Sequence, residues 1–207
     1  MPRPTKALMA CLTVAVALLA SVTASSANRI SQTSRTYRAT LTPLRITDDE
    51  LSTVSCNVTL EGSFHSSTFA KVAGALVGYV NRASLGSPCT GGTATLLRES
   101  LPWHMEYEGY RGTLPNITEI DYDLAGFGIS VDPEGILGQC LARSEAVIPF
   151  VIGFLVGANV GLWTVAGVTT YWSNRRAVRC GTDEVTITGE GSATVAGSTT
   201  VITVRLI

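Results

Sequence analysis

The sequence predicts an all-β protein, an antiparallel sandwich or small barrel stapled by two disulfides. Three observations predict it. Apolar and polar residues alternate with period two in one segment after another, the mark of half-buried strands. Once an N-terminal leader is set aside, four cysteines remain, an even number that suits two bridges in an oxidising compartment. No long amphipathic pattern with helix caps interrupts the alternation.

Residues 1–27 read as a secretory signal peptide. Arg3 and Lys6 make a basic start, residues 7–20 are an uncharged apolar run, and small-residue exits end at Ala24 and Ala27. Leu8-Met9-Ala10-Cys11 has the look of a lipoprotein cleavage site, but almost no apolar core precedes Cys11. Cleavage after Ala27 leaves about 180 residues, enough for one cored domain. Residues 28–50 are expected to hold a flexible N-terminal segment and a first strand, and residues 51–207 a single all-β domain. Removing Arg3 and Lys6 from a chain of net charge −1 leaves about −3, with no basic stripe, which argues against a nucleic-acid partner.

The elements follow in order. In VSCNVTLEGSFHS, Val54, Cys56, Val58, Leu60, Gly62 and Phe64 face one way, and Ser55, Asn57, Thr59, Glu61, Ser63 and His65 the other. AKVAGALVGYVNRA, residues 70–83, is apolar on both faces, and its β-branched content favours a strand. Trp103, Met105 and Tyr107 oppose His104, Glu106 and Glu108. Ile120, Tyr122 and Leu124 oppose Glu119, Asp121 and Asp123; the phase then slips near Ala125-Gly126, as at a bulge, and Phe127, Ile129 and Val131 become the apolar set. VTITGEGSATV and STTVITVRLI read as a hairpin-like pair joined at Ala196-Gly197-Ser198, with Ile202, Val204 and Leu206 pointing inward.

Residues 146–170 carry no charge, enough length to span a bilayer core of roughly 30 Å. Gly153, Gly157 and Gly161 make a tandem G-x-x-x-G, and Tyr171, Trp172 and Arg175, Arg176 and Arg179 follow as an interfacial belt and a basic flank would. A single-pass membrane helix through 147–169 is therefore the alternative to an exported protein. Against it stand Pro149, Asn159 and a Thr- and Val-rich second half; two buried strands turning near Gly157–Gly161 explain the run equally, because strands covered on both faces read as continuous apolar sequence. The four cysteines Cys56, Cys89, Cys140 and Cys180 allow three pairings, and the sequential one, Cys56–Cys89 with Cys140–Cys180, is expected.

CNVTLEGSFHS, CTGGTATLL, LPWHMEYEGYRGTLPNIT, Cys140-Leu141 and the closing GEGSATVAGSTTVITVRLI together resemble a group of uncharacterised secreted proteins of high-GC actinobacteria, which share the order of cysteines and an LPW…GTLPNIT-type block. The resemblance covers most of 54–145 and the C-terminal strands, and fails over 146–172. It implies an exported all-β protein and carries no activity, cofactor or catalytic residue.

Candidate sites are few. His104, Glu106 and Glu108 share one strand face, and a neighbouring strand 54–65 would add His65 and Glu61, a set able to hold zinc or manganese or to serve acid–base chemistry. Alternation alone accounts for every one of these residues as a solvated face. Glu119, Asp121 and Asp123 lack the Gly-containing loop of a calcium site and read as a charged edge strand. No nucleophile elbow, H-E-x-x-H, S-x-x-K or phosphate-binding loop occurs. The expected function is a secreted, non-enzymatic structural or interaction module at the cell envelope, with no cofactor. Self-association or lipid-surface contact through 146–170 is a further expectation. The alternatives are a barrel-type carrier of a small lipophilic ligand lined by Trp103, Met105, Tyr107, Phe127 and Trp163, and a hydrolase using His65, His104 and Glu106 with a metal.

Overall fold

The computed structural model describes residues 29–48, 53–113, 116–134, 140–143, 150–155, 159–164 and 185–207. The expected signal peptide and Cys180 lie outside them. Fourteen strands follow one another: β1 (Arg29–Gln32), β2 (Thr36–Asp48), β3 (Val54–Phe64), β4 (Thr68–Ala70), β5 (Ala75–Thr90), β6 (Gly92–Leu96), β7 (Trp103–Thr113), β8 (Asn116–Ala125), β9 (Gly128–Pro133), β10 (Cys140–Arg143), β11 (Phe150–Leu155), β12 (Asn159–Thr164), β13 (Val185–Val195) and β14 (Val204–Leu206). Among the described residues a single 3-10 turn, Arg98–Ser100, precedes β7.

Eight of these strands close a barrel. Around the ring they run β2, β3, β5, β7, β8, β11, β12, β13 and back to β2, every pair antiparallel. That order is the chain order, an up-and-down barrel, so the sheet has no open edge along the ring. The remaining strands form two three-stranded sheets, β14-β1-β4 and β10-β9-β6. The first adjoins the end of the barrel where β3 finishes, since β4 follows β3 and lays Phe69 against Tyr107 and Tyr122 at 6.1 Å each. The second adjoins the end where β3 begins, with Gly92 of β6 packed beside Val54.

The alternation expected of β3, β7 and β8 sets inside against outside. Val54, Cys56, Val58, Leu60 and Phe64 of β3, Trp103, Met105 and Tyr107 of β7, and Ile120, Tyr122 and Leu124 of β8 are buried in one core. Burial of this apolar area, at about 25 cal/mol per Å², is the main force holding the ring closed. The outward faces of β2 and β3 carry Arg38, Thr40, Arg45, Asn57, Thr59, Glu61 and Ser63. A lipid-facing barrel has the reverse arrangement, an apolar band outside.

Several expectations are corrected. The alternative of a membrane helix through 147–169 does not hold where the chain is described: β11 and β12 pair antiparallel, as the two-strand reading expected, Phe150 opposite Thr164 and Phe154 opposite Val160, and no helix among the described residues is long and apolar enough to cross a membrane. The expected hairpin at Ala196-Gly197-Ser198 is short: around the Thr194–Val201 bridge Val195 N–H donates to Thr200 O and Ile202 N–H to Ala193 O, on the edge that β12 leaves free past Ser192. The rest of β13 is flanked by β12 and β2, so the chain leaves and β14 pairs with β1. Arg29–Gln32, read as a loose lead-in, is the central strand between β14 and β4, and buries Ile30 and Gln32. The phase slip at Ala125-Gly126 is a turn with Gly126 at φ 90°, where the chain exits the barrel and begins β9 of a different sheet.

Candidate functional site

The barrel interior is where a carrier would hold its ligand, and among the described residues buried side chains meet across it. Tyr37, Phe64, Tyr122 and Phe154, from four strands, make five ring contacts with centroids 5.1–5.9 Å apart, in tilted and edge-on arrangements that favour aromatic pairs. Tyr37 Oη donates to Met105 Sδ at 2.8 Å. Of the five residues expected to line a cavity, Trp103, Met105, Tyr107 and Phe127 are all buried, but in different parts of the core. Trp103 stacks edge-on against Phe127 at 4.8 Å, Met105 meets Tyr37, and Tyr107 meets Phe69. Trp163 lies on β12 opposite Val151 and Thr188, and its side chain is outside the described residues.

The expected disulfide Cys56–Cys89 is present. Its geometry comes from a register shift: Ser55 pairs with Thr90 and Asn57 with Gly86, so the extra residues of β5 bulge and bring Cys89 beside Cys56, Cα atoms 4.5 Å apart. Cys140 sits on β10 opposite Val131. A Cys140–Cys180 bridge lies outside the described residues.

The two-histidine, two-carboxylate cluster does not assemble. β5 lies between β3 and β7, and it inserts Tyr79 between the histidines, with centroids 4.9 Å from His65 and 5.3 Å from His104. Glu61 is turned the other way, onto Arg38 and Arg82. Among the described residues no group of three or more His, Cys, Asp or Glu side chains can hold a metal ion.

The acidic ladder is not an edge. β8 pairs with β7 on one side and β11 on the other, Asp121 opposite both Gly109 and Gly153. Glu119 and Asp121 are only 8% and 6% exposed, and Arg111 from β7 bonds both, at 3.3 Å and 3.1 Å. Burial raises Glu119, and the neighbouring Asp121 raises it further, against the lowering effect of Arg111. Burial and the charges of Glu108, Glu106 and Asp121 push Asp123 up to about 6. Such a carboxyl can exchange protons near neutrality, but nothing described places a nucleophile or a polarising donor beside it.

One concave feature on the outer wall is lined by recognition chemistry. A groove of about 510 Å³ crosses β2, β3 and β5, lined by Arg38, Thr40, Thr59, Glu61, Asn81 and Arg82, with Ala83, Ser84, Arg98 and Leu101 completing it. Arg38 Nε donates to Glu61 Oε1 at 2.7 Å, and Arg82 approaches the other carboxylate oxygen at 3.6 Å. Asn81 Nδ2 donates to Ser63 Oγ at 3.0 Å. The far wall is the Arg98–Ser100 turn, tied down from the core: Trp103 Nε1 donates to Ser100 Oγ at 2.9 Å, and that hydroxyl donates to Leu97 O at 2.7 Å. Alternation alone marks Thr59 and Glu61 as outward. Nothing in the sequence marks Arg38, Arg82 and Arg98 as neighbours, since their meeting depends on strand order and on the fold-back before β7. No family model, curated protein or solved structure matches the chain.

Proposed function

We propose that the protein is an exported, non-enzymatic binding module of the cell envelope that works from the outer wall of its barrel. One observation carries this reading: the interior is occupied by the protein's own rings, Tyr37, Phe64, Tyr122 and Phe154 in mutual contact, while the polar groove lies outside. Export is supported by the basic start and apolar run of residues 1–27 and by the Cys56–Cys89 bridge, since such bridges persist in oxidising compartments. The actinobacterial resemblance agrees with export. A non-enzymatic role is supported by the placement of Tyr79 between His65 and His104 and by the engagement of Glu61 with Arg38 and Arg82.

The carrier reading keeps one observation in its favour. Tyr122 Oη is buried in the core without a hydrogen-bond partner among the described residues, as a polar handle awaiting a ligand would be. Organic extraction of the purified protein followed by mass spectrometry separates the two. The outer-wall reading expects no lipophile near one per chain; a stoichiometric one overturns it and establishes the carrier.

A further inference from the structure

We propose that the outer groove binds an oligosaccharide bearing oxyanions, a carboxylated or sulfated glycan. The inference rests on the outer-wall reading and names its ligand class.

Charge comes first. The groove sets three arginines, Arg38, Arg82 and Arg98, against one carboxylate, Glu61. Glu61 holds Arg38 by a hydrogen-bonded ion pair and has Arg82 nearby at 3.6 Å, whereas Arg98 has no ion-pair partner among the described residues. A guanidinium held over a groove is suited to a planar oxyanion, which it grips with two parallel hydrogen bonds. The Arg98 backbone is itself fixed by the Trp103–Ser100–Leu97 chain of hydrogen bonds, so binding has the side chain to order but not the turn that carries it.

The neutral lining selects a sugar over other anions. Thr40, Thr59, Ser84 and Asn81 offer short donors and acceptors matched to hydroxyl groups, on β-strands that keep them at fixed spacing. Along β5 the outward face continues from Asn81 to Tyr79, whose ring is steadied by tilted and edge-on contacts with His65 and His104. A braced, half-buried ring next to planar polar groups is a stacking platform for the apolar face of a pyranose. An excess of two positive charges is too small for a nucleic-acid backbone, whose binding depends on many phosphate contacts. An acidic peptide would want apolar side-chain pockets, and Leu101 is the one large apolar residue in this lining.

The test is calorimetric titration of the full exported chain with tetragalacturonate, its fully methyl-esterified counterpart, a sulfated oligosaccharide and oligoglutamate. Binding of one or both acidic sugars is expected, weakening as salt rises, with the neutral ester and oligoglutamate at least about tenfold weaker. The arm that binds tells carboxylate from sulfate. Arg98→Ala is expected to lose about tenfold and Arg98→Lys to recover part of it, with the circular dichroism spectrum unchanged. Arg82→Ala, at a side chain 83% exposed, is a second variant that leaves the core untouched. Absence of binding to both acidic sugars at millimolar concentration overturns the proposal. So does equal affinity for charged and neutral sugars, oligoglutamate binding as tightly as the sugar, or full affinity in Arg98→Ala. These outcomes leave the outer-wall reading standing if extraction finds the barrel free of lipophile; a bound lipophile defeats that reading independently.

Discussion

Tyr37 lies across Gly62 on the neighbouring strand, and its hydroxyl reaches Met105 three strands round the ring. A Cβ at Gly62 would collide with Tyr37 Oη and with the carbonyl oxygen of Tyr79. The glycine is therefore a packing requirement: it vacates an inward position that the tyrosine ring occupies. Gly62→Ala should lower stability by about 1–3 kcal/mol, the usual cost of overpacking a dense core, and Gly62→Val by more. Urea unfolding of the two variants checks this; a neutral Gly62→Val would mean the ring is not seated there.

The Cys56–Cys89 bridge closes a loop of 33 residues within β3, β4 and β5. In the chain-entropy picture such a closure contributes about 3–4 kcal/mol by restricting the unfolded chain. The double variant Cys56→Ala, Cys89→Ala should lose stability of that order while keeping its β-type circular dichroism, because the register between β3 and β5 also rests on their own ladder. Loss of the fold altogether would show that the bulged stretch of β5 cannot pair without the covalent tie.

Much of this was legible in the sequence where each strand keeps a single phase. Val54 to Phe64, Trp103 to Tyr107 and Ile120 to Leu124 alternate without interruption, and all face the core as expected. β5 was ambiguous because its register shifts three times against its two neighbours, and each bulge resets the apolar phase. Which strands become neighbours is a different matter. Whether Glu119, Asp121 and Asp123 meet water or a partner strand depends on where β11 docks, far along the chain, and period two is silent on that. The same holds for His65 and His104, which alternation places on the outer face but which β5 then separates.

The acidic face of β8 should make stability depend on pH. Asp123 is raised from its ordinary 3.8 to about 6 by burial and by the charges of Glu108, Glu106 and Asp121. The native state then holds a proton that the unfolded chain has released, so this group's contribution declines as pH rises from about 4 to about 6 and is smallest above that. Asp123→Asn should therefore stabilise the protein above pH 6 and have little effect near pH 4. Thermal unfolding of the pair across that range reads the crossover directly; parallel curves would contradict the assignment.

Arg111 bonds both Glu119 and Asp121, and the two carboxylates have little other access to water. Arg111→Ala should cost about 1–2 kcal/mol at neutral pH, less than for a wholly buried pair because the guanidinium is itself 58% exposed. The loss should shrink in acid as the raised Glu119 carboxyl takes up its proton. Denaturant titration at neutral and acid pH tests this, and a loss independent of pH would assign Arg111 a packing role instead.

Ser100 links the core to the groove, since its hydroxyl accepts from Trp103 Nε1 and donates to Leu97 O. Ser100→Ala leaves a largely buried indole N–H without its acceptor and removes the tie on the turn that carries Arg98. A destabilisation of about 1–3 kcal/mol is expected, the usual cost of orphaning a buried donor. Amide exchange should meanwhile rise at Ser100 and Leu101, whose N–H groups bond within the turn. Ser100→Thr keeps the hydroxyl and should restore both. Unchanged exchange in Ser100→Ala would mean that backbone bonds alone fix the turn, and that the position of Arg98 is independent of the core beneath it.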